Sequence, residues 1–219
     1  MNRKSKIQIF TGLAFTIAFA VWTLLLLFVD VREIGPRGTS VGFAALNAWF
    51  HNLTGENMQL YVITDWLGLV PIATAFFFAV FGLIEWIKRK SILKVDYSIL
   101  VLGGFYLLVI AVYIFFEAVV INYRPILIDG YLEASYPSST TMLVTTVMPS
   151  GLMEILRRRK GRWRQALVFF AVFAFTAFMV IGRIISGVHW ISDIIGGALI
   201  SAGLLFFYAG VCNLKEKIG

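Results

Sequence analysis

The chain has 219 residues, 59% of them hydrophobic and only 14% charged, whereas soluble domains run at about half apolar and about a quarter charged. That balance excludes an ordinary water-soluble domain and points to lipid as the solvent. The net charge of +7 is concentrated at the ends of apolar runs, which reads as a membrane-topology signal and argues against a nucleic-acid partner. The single cysteine, Cys212, excludes an intrachain disulfide, and no cluster of ligand-type residues predicts a metal or other cofactor.

Uncharged stretches cover 7–29, 66–84, 97–116, 134–153, 165–182 and 194–214, each 18 to 23 residues long. A helix rising ~1.5 Å per residue crosses a ~30 Å hydrocarbon core in about 20 residues, so each stretch is long enough to span. The first follows Arg3, Lys4 and Lys6, as a signal peptide would. It is longer than a signal core, however, and has no small-residue cleavage site before Asp30, so it reads as a retained span. Between the first two spans lies a long loop, 30–65, with an interfacial helix expected at 41–53, its apolar side made by Phe43, Leu46, Trp49 and Phe50. The fold expected is an all-α integral membrane bundle of six transmembrane helices. It forms one domain over 1–219, with spans near 7–29, 66–86, 97–118, 138–156, 165–184 and 191–212.

Basic residues orient the bundle. Arg3, Lys4 and Lys6 precede span one; Lys88, Arg89, Lys90 and Lys94 follow span two; Arg157, Arg158, Arg159, Lys160, Arg162 and Arg164 follow span four; Lys215 and Lys217 follow span six. These are 15 of the 19 Lys and Arg, and the excess of positive charge in cytoplasmic loops predicts a multi-pass cell-membrane protein with both termini cytoplasmic.

Two of the four remaining basic residues, Arg124 and Arg183, end spans three and five on the outer side, where spans four and six begin near Ser138 and His189. All four ends meet there. The sequence Pro137-Ser138-Ser139-Thr140 opens span four, and helix amino termini with free N–H groups cradle anions, although the same residues also suit an ordinary helix cap. Arg124 and Arg183 supply forked donors matched to phosphate oxygens. His189 and Asp193 are four residues apart, the spacing of neighbours on one helical face, so Asp193 is expected to orient the imidazole. Two arginines, a helix amino terminus and a carboxylate-supported imidazole suit phosphoryl transfer. Asp129 and Glu133 read as solvated loop acids, and Gly103, Gly104, Gly196 and Gly197 as close-packing positions between helices.

At these residues the sequence resembles the type-two phosphatidic acid phosphatase superfamily of membrane phosphatases. Its first motif, Lys, six residues, Arg-Pro, reads Glu117, six residues, Arg124-Pro125. Its second, Pro-Ser-Gly-His, reads Pro137-Ser138-Ser139-Thr140. Its third, Ser-Arg, five residues, His, three residues, Asp, reads Gly182-Arg183, five residues, His189, three residues, Asp193. The resemblance implies His189 as nucleophile, Asp193 as its orienting partner, and Arg124, Arg183, Ser138, Ser139 and Thr140 as substrate binders. It also implies no metal and no cofactor.

Three positions depart from the pattern. Glu117 replaces the lysine, Thr140 the histidine that protonates the leaving alcohol, and Gly182 the serine. Losing a general acid costs ~10² to 10⁴ in rate. Glu117 is expected either to pair with Arg124 or to act as a substitute acid. The function implied is a membrane lipid phosphatase using a phosphohistidine at the outer face, on a lipid phosphate or pyrophosphate of the phosphatidic acid or isoprenoid class. Pyrophosphates are expected to be favoured, because their leaving group departs as an anion without protonation. The alternative is a catalytically impaired member that binds lipid phosphates.

Overall fold

The computed structural model describes residues 1–158 and 161–215, so Arg159, Lys160 and Lys217 of the basic runs lie outside the described residues. Those described are all-α with a few isolated β-bridges and no strand. The helices are α1 (Arg3–Phe28), α2 (Ala44–Thr54), α3 (Met58–Leu67), α4 (Leu69–Arg89), α5 (Tyr97–Ala118), α6 (Ser139–Arg158), α7 (Arg162–Ile185) and α8 (Ile191–Cys212).

Local chemistry sets several boundaries. The Asn2 side chain accepts from Ser5 N at 2.7 Å to open α1, and Asn57 accepts from Leu60 N at 2.9 Å to open α3. The helix expected at 41–53 is α2, but it starts later because Phe43 takes a left-handed φ of 48° and Gly42 presses on the Leu26 carbonyl. The second span, expected from 66, is preceded by α3, and α3 and α4 together form one apolar stretch over Met58–Arg89 that bends at Gly68. Asp65 made this segment read as a loop; its charge is satisfied by an arginine from another helix.

Among the described residues, five helical stretches are long and apolar enough to cross a membrane: Arg3–Phe28, Met58–Arg89, Tyr97–Ala118, Arg162–Ile185 and Ile191–Cys212. The sixth expected span, α6, is not among these five. This helix has 20 residues and spans ~30 Å, but it carries Thr140, Thr141, Thr145, Thr146, Ser150 and Glu154. Its position explains the composition. No residue from Ser139 to Leu156 is exposed, so α6 is largely enclosed by the other helices and tolerates polar side chains. Its hydroxyls return to its own backbone: Thr145, Thr146 and Ser150 donate to the carbonyls four residues earlier at 2.6, 2.7 and 2.7 Å.

Helix α8 is the most buried of the five apolar stretches and packs against α1, α5 and α6. The approach to α1 is close: a Cβ on Gly12 would lie 3.0 Å from the Gly203 carbonyl oxygen, so small residues set this interface. Gly196 and Gly197 likewise press on Tyr136 and on the Ser138 carbonyl, as expected, whereas Gly103 and Gly104 face open space and serve no close packing.

At the end of the bundle away from loop 119–138, fully buried Glu154 accepts from Ser98 Oγ at 2.8 Å and from Arg158 Nε at 2.8 Å, while Arg158 Nη1 reaches Asp96 Oδ2 at 3.0 Å. Arg89 Nη1 pairs with Asp96 at 2.9 Å. This ionic clamp ties α4, α5 and α6 together, and sequence reading passed it over because Glu154 borders a basic run.

Loop 119–138 and the start of α7 sit at opposite ends of α6. Single cysteines near Asp129 and Arg162, in a Cys212-free background, are expected to react with impermeant maleimide from opposite sides, Asp129 from outside. Labelling of both from one side would overturn this topology.

Candidate active site

Loop 119–138 is folded back on itself. Arg124 N donates to the Glu133 carbonyl and Ser135 N to the Asn122 carbonyl, with the reversal at Asp129 and Gly130, both at positive φ. Ser138 N donates to the Asp193 carbonyl at 3.0 Å and Trp190 Nε1 to the Tyr123 carbonyl at 2.9 Å, fixing this loop and the start of α6 to the start of α8. Gly187 allows the turn into α8: its φ is +68°, and a Cβ there would fall 2.0 Å from the Gly55 carbonyl oxygen.

These connections bring Arg124, Thr140, Arg183, His189 and Asp193 together. Asp193 is fully buried and accepts from Ser135 Oγ at 2.5 Å, Trp190 N at 3.0 Å and Asn122 Nδ2 at 3.3 Å. The expected neighbour of His189 is in place, but Nδ1 lies 3.9 Å from Asp193 Oδ2, too far for a direct hydrogen bond. His189 precedes α8, so the four-residue spacing never places the two on one helical face. Ser135 fills the gap: its hydroxyl donates to Asp193 and takes the Nδ1–H of His189 at 3.0 Å, the tautomer this network requires. The other ring nitrogen, Nε2, faces Arg124 Nη1 at 3.4 Å. Burial pushes the imidazole well below its ordinary range, and the charges of Arg124 and Arg183 push it further, against a Ser135 hydrogen bond acting the other way. His189 is therefore held neutral, with Nε2 unprotonated and accepting from Arg124.

Arg183 is 1% exposed. Its Nη2 donates to Thr140 Oγ1 at 2.6 Å and to Asp65 Oδ1 at 2.8 Å, while Nε and Nη1 are buried without a partner. The guanidinium carbons of Arg183 and Arg124 lie 5.0 and 5.8 Å from the centroid of the Tyr61 ring. Arg124 Nε is 2.9 Å from Glu133 Oε2, close enough for an ion pair but off the N–H axis, so that donor makes no hydrogen bond.

Ser138 is buried and its hydroxyl sits 3.4 Å from Thr141 N, the role of a helix cap. Ser139 is half-buried, with no described bond to the cluster. Among the described residues Glu117 makes no ion pair with Arg124; Glu133 is the acid on Arg124, not a purely solvated one. Sequence reasoning missed Tyr61, Asp65, Asn122 and Ser135. The first two come from a segment read as loop, and the others carry no motif of their own.

Residues 119–215, which hold all three motifs but for Glu117, match the family model of the PAP2 superfamily. The whole chain shares its fold with a solved structure, the crystal structure of the first transmembrane PAP2 type phosphatidylglycerolphosphate phosphatase from Bacillus subtilis. That match covers 96% of this chain and 98% of the other, with 19% identity and a TM-score of 0.54. Among curated proteins none matches the chain.

Proposed function

We propose that the chain is a lipid phosphate phosphatase that works through a phosphohistidine on His189, at the outer membrane face. It crosses the membrane six times, α6 being the crossing shielded by the others. One observation carries the reading: a fully buried arginine with two unpartnered donors lies in one cluster with a neutral imidazole whose free nitrogen faces a second arginine. Leaving buried donors unmade is costly, and a phosphate oxygen is the acceptor that fits a guanidinium fork. In the first step Nε2 attacks phosphorus, and the P–O bond to the leaving group breaks with its electron pair going to that oxygen. Ser135 and Asp193 hold the Nδ1–H as positive charge grows on the ring, and the arginines neutralise the phosphoryl oxygens.

A cavity of about 560 Å³ supports a lipid substrate. Asp65, Ser139 and Thr140 line its polar end, and Leu69, Ile72, Val109, Leu143 and Val147 its apolar wall. An acyl or isoprenoid chain fits that wall with its phosphate at the arginines. Thr140 in place of histidine favours a second reading, a non-catalytic binder of lipid phosphates.

Phosphate release from phosphatidic acid, phosphatidylglycerol phosphate and isoprenyl pyrophosphates, measured on purified protein with a chelator present, separates the two. Turnover of at least one is expected. Binding without turnover of any would establish the binder. Because only the neutral imidazole attacks and its protonation is suppressed, kcat/KM, corrected for the substrate's own ionisation near ~6, should hold on acidification to pH ~6.5 and fall only below it.

A further inference from the structure

The phosphatase reading leaves one proton unassigned. An alkoxide leaves phosphorus poorly without protonation, and Thr140 has no proton of suitable acidity; its hydroxyl oxygen accepts from Arg183. Beside it, on the same Nη2, sits the carboxylate of Asp65. Asp65 and Thr140 line the same cavity, and the Asp65 side chain is 61% exposed against 1% for Arg183. It is therefore the one member of this pair free to move when a substrate arrives.

The sequence departures converge on this carboxylate. A Cβ on Gly182 would lie 2.6 Å from Thr64 Cγ2, so a serine there would drive α3 away from α7. Glycine lets α3 close in through Thr64 and Leu60, one turn apart, and the next residue, Asp65, reaches Arg183. The missing histidine and the missing serine thus flank the place that Asp65 occupies. Glu133 is paired with Arg124, and Glu117 does not line the cavity that Asp65 and Thr140 share.

We propose, on the basis of that reading, that Asp65 is the proton donor to the leaving group and the base of the second half-reaction. A phosphate on the unpartnered Nε and Nη1 of Arg183 lies beside Asp65, which enters the step carrying a proton taken from solvent. As Nε2 of His189 bonds to phosphorus, the Asp65 O–H gives its proton to the departing ester oxygen, which leaves as the lipid alcohol. The carboxylate then takes a proton from water as the water oxygen attacks phosphorus. The N–P bond breaks with its pair returning to Nε2, and phosphate leaves. Asp65 thus ends protonated, as it began, with the proton taken from water replacing the one it gave to the alcohol.

Leaving-group dependence tests this directly. Asp65→Asn keeps an acceptor for Arg183 but has no proton to give. It is expected to lower kcat on phosphatidic acid by ~10² to 10⁴, while p-nitrophenyl phosphate, whose phenolate needs no proton, loses less than about tenfold. Thr140→His in the Asp65→Asn background should recover much of the phosphatidic acid rate, since it supplies a donor at the neighbouring position. Equal losses on both substrates would reduce Asp65 to a partner of Arg183 and overturn the assignment, as would unchanged rates. A wild-type protein inert on both substrates would overturn the phosphatase reading and the assignment together.

Discussion

Replacing His189 with alanine is expected to abolish turnover, with a loss on the order of 10⁶, as when the nucleophile of a covalent mechanism is removed. The argument rests on the ring's two nitrogens. Nδ1 is committed to Ser135 and through it to Asp193, so only Nε2, 3.4 Å from Arg124 Nη1, is available to phosphorus. Wild-type protein quenched during turnover of a ³²P-labelled substrate should carry acid-labile, base-stable phosphate, and His189→Ala should carry none. Asp193→Asn should still form this species, only more slowly, because the ring loses the acceptor behind Ser135. Labelling retained in His189→Ala would place the covalent step on another residue.

Arg183→Lys should lower kcat/KM by about 10² to 10³, the loss typical of removing a donor that stabilises transition-state charge. The charge survives this substitution, but the planar fork does not. A lysine ammonium cannot hold Thr140 and Asp65 on one nitrogen while aiming two further N–H groups at a phosphate. Inhibition by inorganic phosphate should weaken in parallel, which separates a lost binding fork from a general loss of folded protein. Wild-type kinetics in Arg183→Lys would show that the two unpartnered donors do not meet the substrate.

The same residues show how far sequence reading extends. Arg124, Arg183, His189 and Asp193 were legible because each lies at a fixed distance from a helix end or within a short motif. Ser135 was not, since its place between His189 and Asp193 depends on loop 119–138 folding back and docking on Trp190. Asp65 was read as the edge of a loop because a charge at the mouth of an apolar run ordinarily faces water. Here Arg183, 118 positions away in the chain, is its partner. Glu117 suffered the reverse error: two helical turns separate it from Arg124 in sequence, but α5 ends at Ala118 and the loop carries Arg124 to Glu133 instead.

The sequence by itself determined the solvent, the helices, the ends at which they gather and the residue types for phosphoryl transfer. Those follow from the length of apolar runs and from local spacing, which act within a helix and need no partner. Tertiary structure alone decided that α6 is shielded despite its threonines, that a serine hydroxyl relays the His189–Asp193 interaction, and that Asp65 stands beside Thr140 at the buried arginine. Each of these is a contact between segments distant in the chain. Their geometry is set by how closely helices pack, at Gly182 against Thr64 above all, and a few ångströms in that approach determine which acid the arginine meets.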